Sequence, residues 1–214
     1  MTDGPSPAER ASANERQRRQ YAKDAPRYDK QTDLIERWLV GSEHRRWACS
    51  QATGDTLEVA IGTGLNLPDY PPDVPLTGLD LTPEMLALAR QRSVDLNRPV
   101  SLCEGDAQAI PFADESFDTV LCTYAMCSVS DERLTIDEMK RVLRPGGRLI
   151  LVDHVRSTVW GIYCIQRLLE LAPTRAEDEL TRRPMTQVVA AGFTIEASDR
   201  LRAGVIERLV ARRP

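Results

Sequence analysis

From about residue 53 onward, short apolar runs alternate with segments in which apolar positions recur at helical spacing. The apolar runs predict strands at 56–61, 75–80, 100–104, 119–122, 148–155, 194–201 and 205–212. Helical spacing predicts helices at 83–92, 131–143, 159–171 and 185–191. Thr82 before Pro83 is a typical helix start, and the Arg-Pro-Gly-Gly run at 144–147 is a typical helix stop.

This alternation predicts the fold. Runs such as Arg-Leu-Ile-Leu-Val at 148–152 are typical of parallel strands that are buried on both faces. The last two strands leave no room for a helix between them, so we expect them to pair antiparallel. We therefore predict an α/β, doubly wound fold, with a mostly parallel seven-stranded sheet, an antiparallel last strand and helices on both faces.

The N-terminal quarter follows a different pattern. Residues 1–20 have no large apolar side chain after Met1, which predicts a flexible tail. A helix is predicted at 32–48, with an apolar face formed by Leu34, Ile35, Trp38 and Leu39. We expect one domain over 21–214, made of an N-terminal helical lid at 21–52 and a Rossmann-like core at 53–214.

Composition narrows the class of protein. The net charge of −4 gives no general attraction to nucleic acid. Five scattered cysteines, without a CxxC pair, argue against a disulfide framework and against a zinc site. There is no apolar run of 18 residues, so stable membrane insertion is not expected. These features indicate a cytoplasmic protein whose oligomeric state stays open.

A glycine turn and an acidic residue form the first candidate site. Gly62-Thr63-Gly64 follows the first strand, where glycine lets a ligand approach the backbone closely. Asp80 ends the second strand, eighteen residues past Gly62, where a carboxylate accepts hydrogen bonds from ribose hydroxyls. Each feature has a simpler explanation, since the turn alone is a common tight turn and Asp80 can cap the next helix.

Several motifs together resemble one enzyme family. Residues 58–64, Asp80, 105–118 and 141–147 are similar to the class I S-adenosylmethionine-dependent methyltransferases of ubiquinone and menaquinone biosynthesis. Residues 25–29 also resemble the segment that precedes their first helix. The antiparallel final strand is typical of this class, whereas nicotinamide-binding domains usually continue with βαβ units. The similarity covers about residues 21–155.

The resemblance implies S-adenosylmethionine as cofactor and assigns roles to matching positions. Glu58 and the turn Gly62-Thr63-Gly64 would hold the methionyl end. Asp80 would bind the ribose, Leu81 and Met85 would flank the adenine, and Asp106 with Ala107 would bind its edge. Cys122 or Thr123 would lie near the sulfonium, and Tyr21 and Tyr28 would close over the cofactor. Two further positions in the same segment are counted as cofactor-binding: Ala60 and Asn66.

The chain departs from the family in two places. Ala60 stands where the family usually has glycine, so we expect a negative φ at this position. Residues 65–72 are too short and proline-rich for the usual first crossover helix. In this shortened crossover the chain resembles thiol methyltransferases and bacterial phospholipid N-methyltransferases.

His154, after the fifth strand, is the candidate catalytic base, with Asp153 as an orienting carboxylate. The alternative is that His154 only bonds a loop and shapes the pocket. The other histidine, His44, lies beside Arg45 and Arg46 and is expected to be solvated. No carboxylate cluster resembles the magnesium site of catechol enzymes, so no metal is implied.

The expected acceptor is a small molecule that carries a thiol, a phenol or hydroxyl, or an amine. Cys-Thr-Tyr-Ala after the fourth strand differs from the Asn/Asp-Pro-Pro-aromatic run of DNA and protein-amide methyltransferases. Residues 124–130, 154–163 and 171–184 should form the acceptor pocket. The apolar stretch from Trp160 to Leu169 is expected to pack in the core, with a pocket wall or a membrane-adsorbing face as alternatives.

Three other functions stay open. One is a methyltransferase that acts on phospholipids or quinone precursors at a membrane surface. The others belong to different classes: a non-catalytic protein that binds S-adenosylmethionine, and an NAD(P)-dependent oxidoreductase, which would share the glycine turn and Asp80.

Overall fold

The computed structural model of the chain describes residues 4–36, 41, 43–171 and 179–214. Within these residues seven strands form one sheet in the order β3-β2-β1-β4-β5-β7-β6. The strands are β1 Thr56–Val59, β2 Leu76–Asp80, β3 Ser101–Glu104, β4 Phe117–Thr123, β5 Leu143–His154, β6 Thr194–Leu201 and β7 Ile206–Arg212. Strands β1 to β5 pair in parallel, and β7 pairs antiparallel with both β5 and β6.

In the described part of the chain six α-helices accompany the sheet: α1 Pro7–Ile35, α2 Glu43–Cys49, α3 Pro83–Asp95, α4 Glu132–Val142, α5 Trp160–Glu170 and α6 Pro184–Ala190. A single 3-10 turn over Leu67–Asp69 stands in the first crossover, where the proline-rich sequence excludes a long helix. None of the described helices is both long and apolar enough to cross a bilayer.

The core lies on both faces of the sheet. Alternate residues of the central strands point to opposite sides, as the pleat requires. On one face Val120 and Leu149 pack with Ile136 and Met139 of α4. On the other face Leu121 and Ile150 join the cluster that includes residues of α2 and α3, such as Cys49 and Leu86. The predicted doubly wound fold is therefore confirmed, including the antiparallel last strand.

The N-terminal segment differs from its prediction. Instead of a flexible tail over 1–20, α1 begins at Pro7, behind a capping box in which the Ser6 hydroxyl and the Glu9 carboxylate satisfy each other's backbone N–H. Polar contacts hold α1 to the core, such as Asn14 to Asp106 at 2.6 Å and Gln17 to the Ser128 carbonyl at 3.0 Å. A criterion based on apolar burial alone does not detect a helix held in this way.

The predicted helix at 32–48 is also different, because α1 ends at Ile35 and α2 begins at Glu43. Trp38 and Leu39 of its proposed apolar face lie outside the described residues, and Leu34 is exposed. His44 is buried rather than solvated, because α2 packs its Ala48 and Cys49 against the sheet.

The prediction that the apolar stretch around α5 packs in the core is wrong. Trp160 is 78% exposed and Leu168 is 68% exposed, and Ile165, Leu169 and Leu171 are exposed as well. The buried residue of α5 is Gln166, whose amide bonds three backbone groups of its surroundings.

Candidate functional site

The main cavity opens at the carboxyl ends of β1, β2 and β4, where ligands bind in open α/β sheets. It encloses about 730 Å³, part of which is open to solvent, and this is within the range of small-molecule sites. A smaller cavity adjoins it, and both are lined by Tyr28, Ala60, Gly62 and Thr123.

The turn after β1 forms the floor of the cavity. Gly62 and Gly64 have φ of +57° and +77°, which glycine adopts without a steric cost. Ala60 has φ of +57°, so the expected negative φ is wrong. The turn demands a left-handed residue at this point whatever its side chain, and the alanine bears a cost of about 1 kcal/mol.

Asp80 is held rigidly by backbone groups. One of its carboxylate oxygens accepts the Gly62 N–H at 2.8 Å, and the other accepts the Thr82 N–H at 2.9 Å. Asp80 is buried and lines the main cavity. Burial raises the pKa of its carboxyl, and the two backbone hydrogen bonds oppose this shift. The arrangement leaves further lone pairs for ligand hydroxyls, because a carboxylate has about four acceptor positions.

Glu58 is a second buried carboxylate, but side chains hold it. Asn66 donates to it at 2.7 Å and the Tyr70 hydroxyl donates at 2.9 Å. Burial raises the pKa of Glu58 to about 7, against the lowering effect of these two hydrogen bonds. Glu58 lines the smaller cavity, so it is a carboxylate that can change its charge near neutral pH beside a possible ligand.

Arg45 of α2 supplies the positive charge in the same place. Its guanidinium bonds Glu36 at 2.6 Å and reaches Asn66 and Thr123 at 3.0 Å each. Arg45 is buried and lines the smaller cavity together with Glu58. An acidic and a basic side chain thus face one small space, which suits a ligand that carries both an ammonium and a carboxylate.

Helix α1 covers the end of the main cavity that contains Asp106. Asp106 accepts from Asn14 and, at 2.8 Å, from the Gln108 backbone N–H. The Tyr21 hydroxyl lies 3.2 Å from the Ser128 hydroxyl, and its ring meets Tyr28 edge to face at 6.2 Å between centroids. Both tyrosines line the cavity, as a lid would require.

The acceptor side lies beyond β4 and β5. Tyr124 lines the cavity, has φ of +55° and carries a buried hydroxyl without a hydrogen-bond partner among the described residues. Its ring lies between the Arg45 guanidinium, at 4.8 Å, and the His154 ring, at 4.9 Å. His154 itself is absent from the described lining of both cavities, and its ring contacts Tyr124, which lines the main cavity.

Asp153 does not orient the His154 ring through any described hydrogen bond. Its two oxygens accept the backbone N–H groups of Met126, at 2.6 Å, and of His154, at 2.7 Å. Burial raises the pKa of Asp153 to about 7. Cys127, Asp153 and His154 each bring one potential metal ligand within 4.8 Å of the others.

The structure brings most of the predicted site residues together around the two cavities: Tyr21, Tyr28, Glu58, Ala60, Gly62, Thr63, Asp80, Leu81, Met85, Asp106, Ala107 and Thr123. Gly64 and Asn66 lie behind the lining, where Asn66 holds Glu58. Cys122 is a correction, because it packs in the core among residues of α4 and β5. Cys122 and Thr123 are neighbours on one strand and point to opposite faces, so only Thr123 reaches the cavity.

Sequence reasoning missed four residues of the site. Arg45 receives no role in the sequence analysis beyond its place beside His44, and Asn14 and Gln17 fall in the segment that is predicted as a flexible tail. Gln108 follows Asp106 in the chain but received no role, although its amide bonds Asn14 and Asp106 at 3.1 Å each. A capping box at Ser6 and Glu9 was the available signal for α1, whereas no local signal distinguishes the buried Arg45 from Arg46.

Comparisons with known proteins agree with this geometry. A family model described as a methyltransferase domain matches residues 57–151. A demethylmenaquinone methyltransferase from Tropheryma whipplei is 30% identical over 190 residues, which cover 84% of this chain and 78% of that protein. A phosphatidylethanolamine N-methyltransferase from Cereibacter sphaeroides is 42% identical over 118 residues, which cover 54% of this chain and 58% of that protein.

The fold has a close counterpart among solved structures. A methyltransferase from Thermotoga maritima, described as dependent on S-adenosylmethionine, has a TM-score of 0.71 at 21% identity, with 92% of this chain and 99% of that chain covered. At this identity the likeness concerns the fold. The chain spans 58% of the length of the Cereibacter protein and of a demethylmenaquinone methyltransferase from Deinococcus radiodurans.

Proposed function

Because this chain belongs to the S-adenosylmethionine-dependent methyltransferases, an enzyme family that uses S-adenosylmethionine as methyl donor, we propose that it methylates a small-molecule acceptor. The single observation that carries the proposal is a ligand-sized main cavity lined by Asp80 and Asp106, with Glu58 lining the smaller cavity that adjoins it. The antiparallel β7 and the methyltransferase family model favour this function over an NAD(P)-dependent oxidoreductase.

The residues present fit the donor. We infer that Asp80, fixed by Gly62 and Thr82, accepts the ribose hydroxyls, and that Asp106 with Ala107 binds the adenine between Leu81 and Met85. Glu58 and Arg45 face the smaller cavity and suit the ammonium and the carboxylate of the methionyl end. Bound there, the donor supplies an electrophilic methyl group on a cationic sulfonium.

The protein's part in the reaction is alignment and the exclusion of water. Methyl transfer is an in-line displacement, so the acceptor atom must be held opposite the sulfur. Tyr21 and Tyr28 on α1 cover the cavity and would shield it from solvent. Thr123, the last residue of β4, lines both cavities, and Tyr124 directly after it lines the main cavity. We assign the reacting methyl to this position.

We propose a thiol, a phenol or hydroxyl, or an amine as the methylated group. His154 is the proposed base for an acceptor that must lose a proton, acting on the acceptor side beside Tyr124. Relatives named for demethylmenaquinone and for phosphatidylethanolamine support a second candidate, an acceptor that is a quinone precursor or a phospholipid. We retain the cytoplasm as the proposed location, on the evidence of five cysteines that are all free.

Two measurements test the proposal. Calorimetry should detect binding of S-adenosylhomocysteine and none of NAD or NADP. Production of S-adenosylhomocysteine should then be followed with a thiol, a phenol, an amine, a hydroquinone and phosphatidylethanolamine vesicles as acceptors. Binding without turnover on any acceptor would identify a non-catalytic S-adenosylmethionine-binding protein, and binding of NAD alone would refute the proposal.

A further inference from the structure

Helix α5 buries a polar side chain and exposes its large apolar side chains, which is the reverse of the usual arrangement in a helix that packs on a core. Its buried residue is the polar Gln166, at 6% exposure, whereas its apolar side chains point outward. At about 3.6 residues per turn, Gln166 lies opposite the arc that contains Trp160, Leu168 and Ile165. We call the outward face of α5 the set of exposed apolar residues on this arc: Trp160, Ile165, Leu168 and, directly after the helix, Leu171.

Hydrogen bonds fix this orientation. The Gln166 amide donates to the Val155 carbonyl at 2.9 Å and to the Leu180 carbonyl at 3.3 Å, and its oxygen accepts the Ser157 N–H at 2.8 Å. A rotation of α5 that buried its leucines would break all three bonds. It would also leave buried backbone groups unpaired, at a cost of about 1–3 kcal/mol for each group. The exposure of the apolar side chains is therefore built into the fold.

Positive charge lies beside the outward face. Arg156 is exposed and stacks over Tyr163 of α5, with 5.2 Å between the guanidinium and the ring centroid. Arg183 and Arg200 share a single carboxylate, that of Glu207, at 3.6 and 3.7 Å. The Arg200 guanidinium also donates to the Arg156 backbone carbonyl, which places these two residues side by side. Burial lowers the pKa of Arg200, the Glu207 carboxylate opposes this shift, and the charges of Arg183 and Arg156 add to it.

The start of α5 is tied to the turn between β6 and β7, which follows Arg200 in the chain. The Ser157 hydroxyl donates to the Ala203 carbonyl at 2.7 Å, and the Thr158 N–H donates to the same carbonyl at 3.2 Å. Large apolar side chains, a tryptophan at one end and a border of arginines are together typical of a helix that lies in the interface of an anionic bilayer. We propose that the outward face of α5 adsorbs to membranes that contain anionic lipids.

A second copy of the chain fits this face less well. In a two-fold symmetric contact both copies present the same face with its border of arginines, so neither copy supplies the complementary negative charge. An anionic lipid surface instead complements the arginines, with about 1 kcal/mol of attraction for each basic residue near the surface. The proposal is independent of methyl transfer, because it concerns binding of the free protein to lipid.

Co-sedimentation of the full chain with vesicles tests the proposal. One set of vesicles contains phosphatidylcholine alone, and the other contains phosphatidylcholine mixed with phosphatidylglycerol. We expect binding to the mixed vesicles, and a loss of about tenfold or more in partitioning for the double variant Ile165→Ser with Leu168→Ser. Arg156→Ser should weaken binding to the mixed vesicles by several-fold and leave binding to phosphatidylcholine unchanged.

The matched control is Val94→Ser with Leu96→Ser, since these apolar residues at the end of α3 are also exposed, at 69% and 43%. It should bind vesicles as the parent chain does. The proposal would be overturned if the Ile165 and Leu168 variant bound the mixed vesicles as strongly as the parent chain does. It would also be overturned if the parent chain did not bind the mixed vesicles. Melting temperature and sedimentation velocity are measured for each variant. A lower melting temperature of the Ile165 and Leu168 variant would show that another segment of the same chain covers the outward face. A dimer that the parent chain forms and this variant does not would show that a second copy covers it.

Discussion

The two sides of the main cavity are built differently. On the cofactor side, backbone N–H groups hold the carboxylates. Asp80 accepts from the N–H groups of Gly62 and Thr82, and Asp106 accepts from the N–H of Gln108. On the acceptor side, Tyr124 is held by ring contacts with Arg45 and His154, and its backbone adopts φ of +55°. Backbone hydrogen bonds follow from strand register, whereas ring contacts depend on the side chains that happen to be present.

This difference explains why the family can share a cofactor and vary the acceptor. Replacing a side chain on the acceptor side changes the pocket without altering the turn that holds Asp80. Relatives named for a quinone precursor and for a phospholipid, in one family, are consistent with such a division. The division also predicts that substitutions on the two sides should have different effects on binding, stability and turnover.

The largest effect is expected for Arg45→Met, because Arg45 connects the two sides. Its loss leaves the half-buried Glu36 without its ion pair and the Asn66 carbonyl oxygen without the Arg45 donor, while Thr123 keeps the hydrogen bond from the Asn66 amide. Removing one partner of a buried pair destabilises a protein by about 3–5 kcal/mol. Urea unfolding measures the change. Arg46→Met is the matched control, since Arg46 is 81% exposed and pairs with Asp69 at only 3.5 Å, and it should cost less than about 1 kcal/mol.

His154→Ala tests the acceptor side. If His154 is the base, turnover of a phenol should fall by at least about a hundredfold, while turnover of a thiol changes less than about tenfold. Binding of S-adenosylhomocysteine should stay unchanged, because the described ring contact of His154 is with Tyr124, on the acceptor side. Equal losses with both acceptors would show that His154 only positions Tyr124.

Asp80→Ala tests the cofactor side. It should weaken S-adenosylhomocysteine binding by about 1–3 kcal/mol, because two ribose hydroxyls lose their acceptor in a buried pocket. Calorimetry measures the affinity. Asp95→Ala, at the end of α3, removes an exposed carboxylate of the same type and should leave the affinity as it is. Unchanged affinity in Asp80→Ala would contradict the assigned ribose site.

The pH dependence of stability tests Glu58. Its pKa is about 7 in the folded protein and near the ordinary 4.5 after unfolding. Between these two values the folded state retains a proton that the unfolded state has released, so stability falls as the pH rises through this window. The slope reaches at most about 1.4 kcal/mol per pH unit and disappears above the folded pKa. Urea unfolding of the parent chain and of Glu58→Gln should therefore differ in slope within this window, and parallel curves would be evidence against the shifted pKa.

The smallest effect concerns Ala60, which adopts a conformation that favours glycine. Ala60→Gly should stabilise the protein by about 0.5–1 kcal/mol, because the left-handed backbone no longer strains a side chain. Thermal unfolding measures this gain. Ala87→Gly, in the exposed part of helix α3, is the opposite control and should destabilise by a similar amount. A destabilised Ala60→Gly would mean that the alanine methyl group makes contacts worth more than the strain.

The sequence by itself determined the order of elements from β1 onward and the pairing of Gly62 with Asp80 in the cavity. β6 begins and ends at the predicted residues, and β2 differs from its prediction only at its first residue. Gly62 and Asp80 come together because β1 and β2 are neighbouring parallel strands, so residues at their carboxyl ends must be adjacent. Periodicity and turn residues are local properties of a chain, and this part of the structure depends on them.

Only the tertiary structure decided the burial of Arg45, the order of α1 and the orientation of α5, because these features depend on contacts between residues that are distant in the chain. Arg45 and Arg46 are neighbours of the same type, yet only Arg45 is buried, since α2 turns it toward Asn66 and Thr123. Polar bonds from α1 to Asp106 and Ser128 order a segment whose composition suggests a tail. In α5, three hydrogen bonds to Gln166 outweigh the tendency of leucine to be buried, and no pattern of apolar positions contains that information.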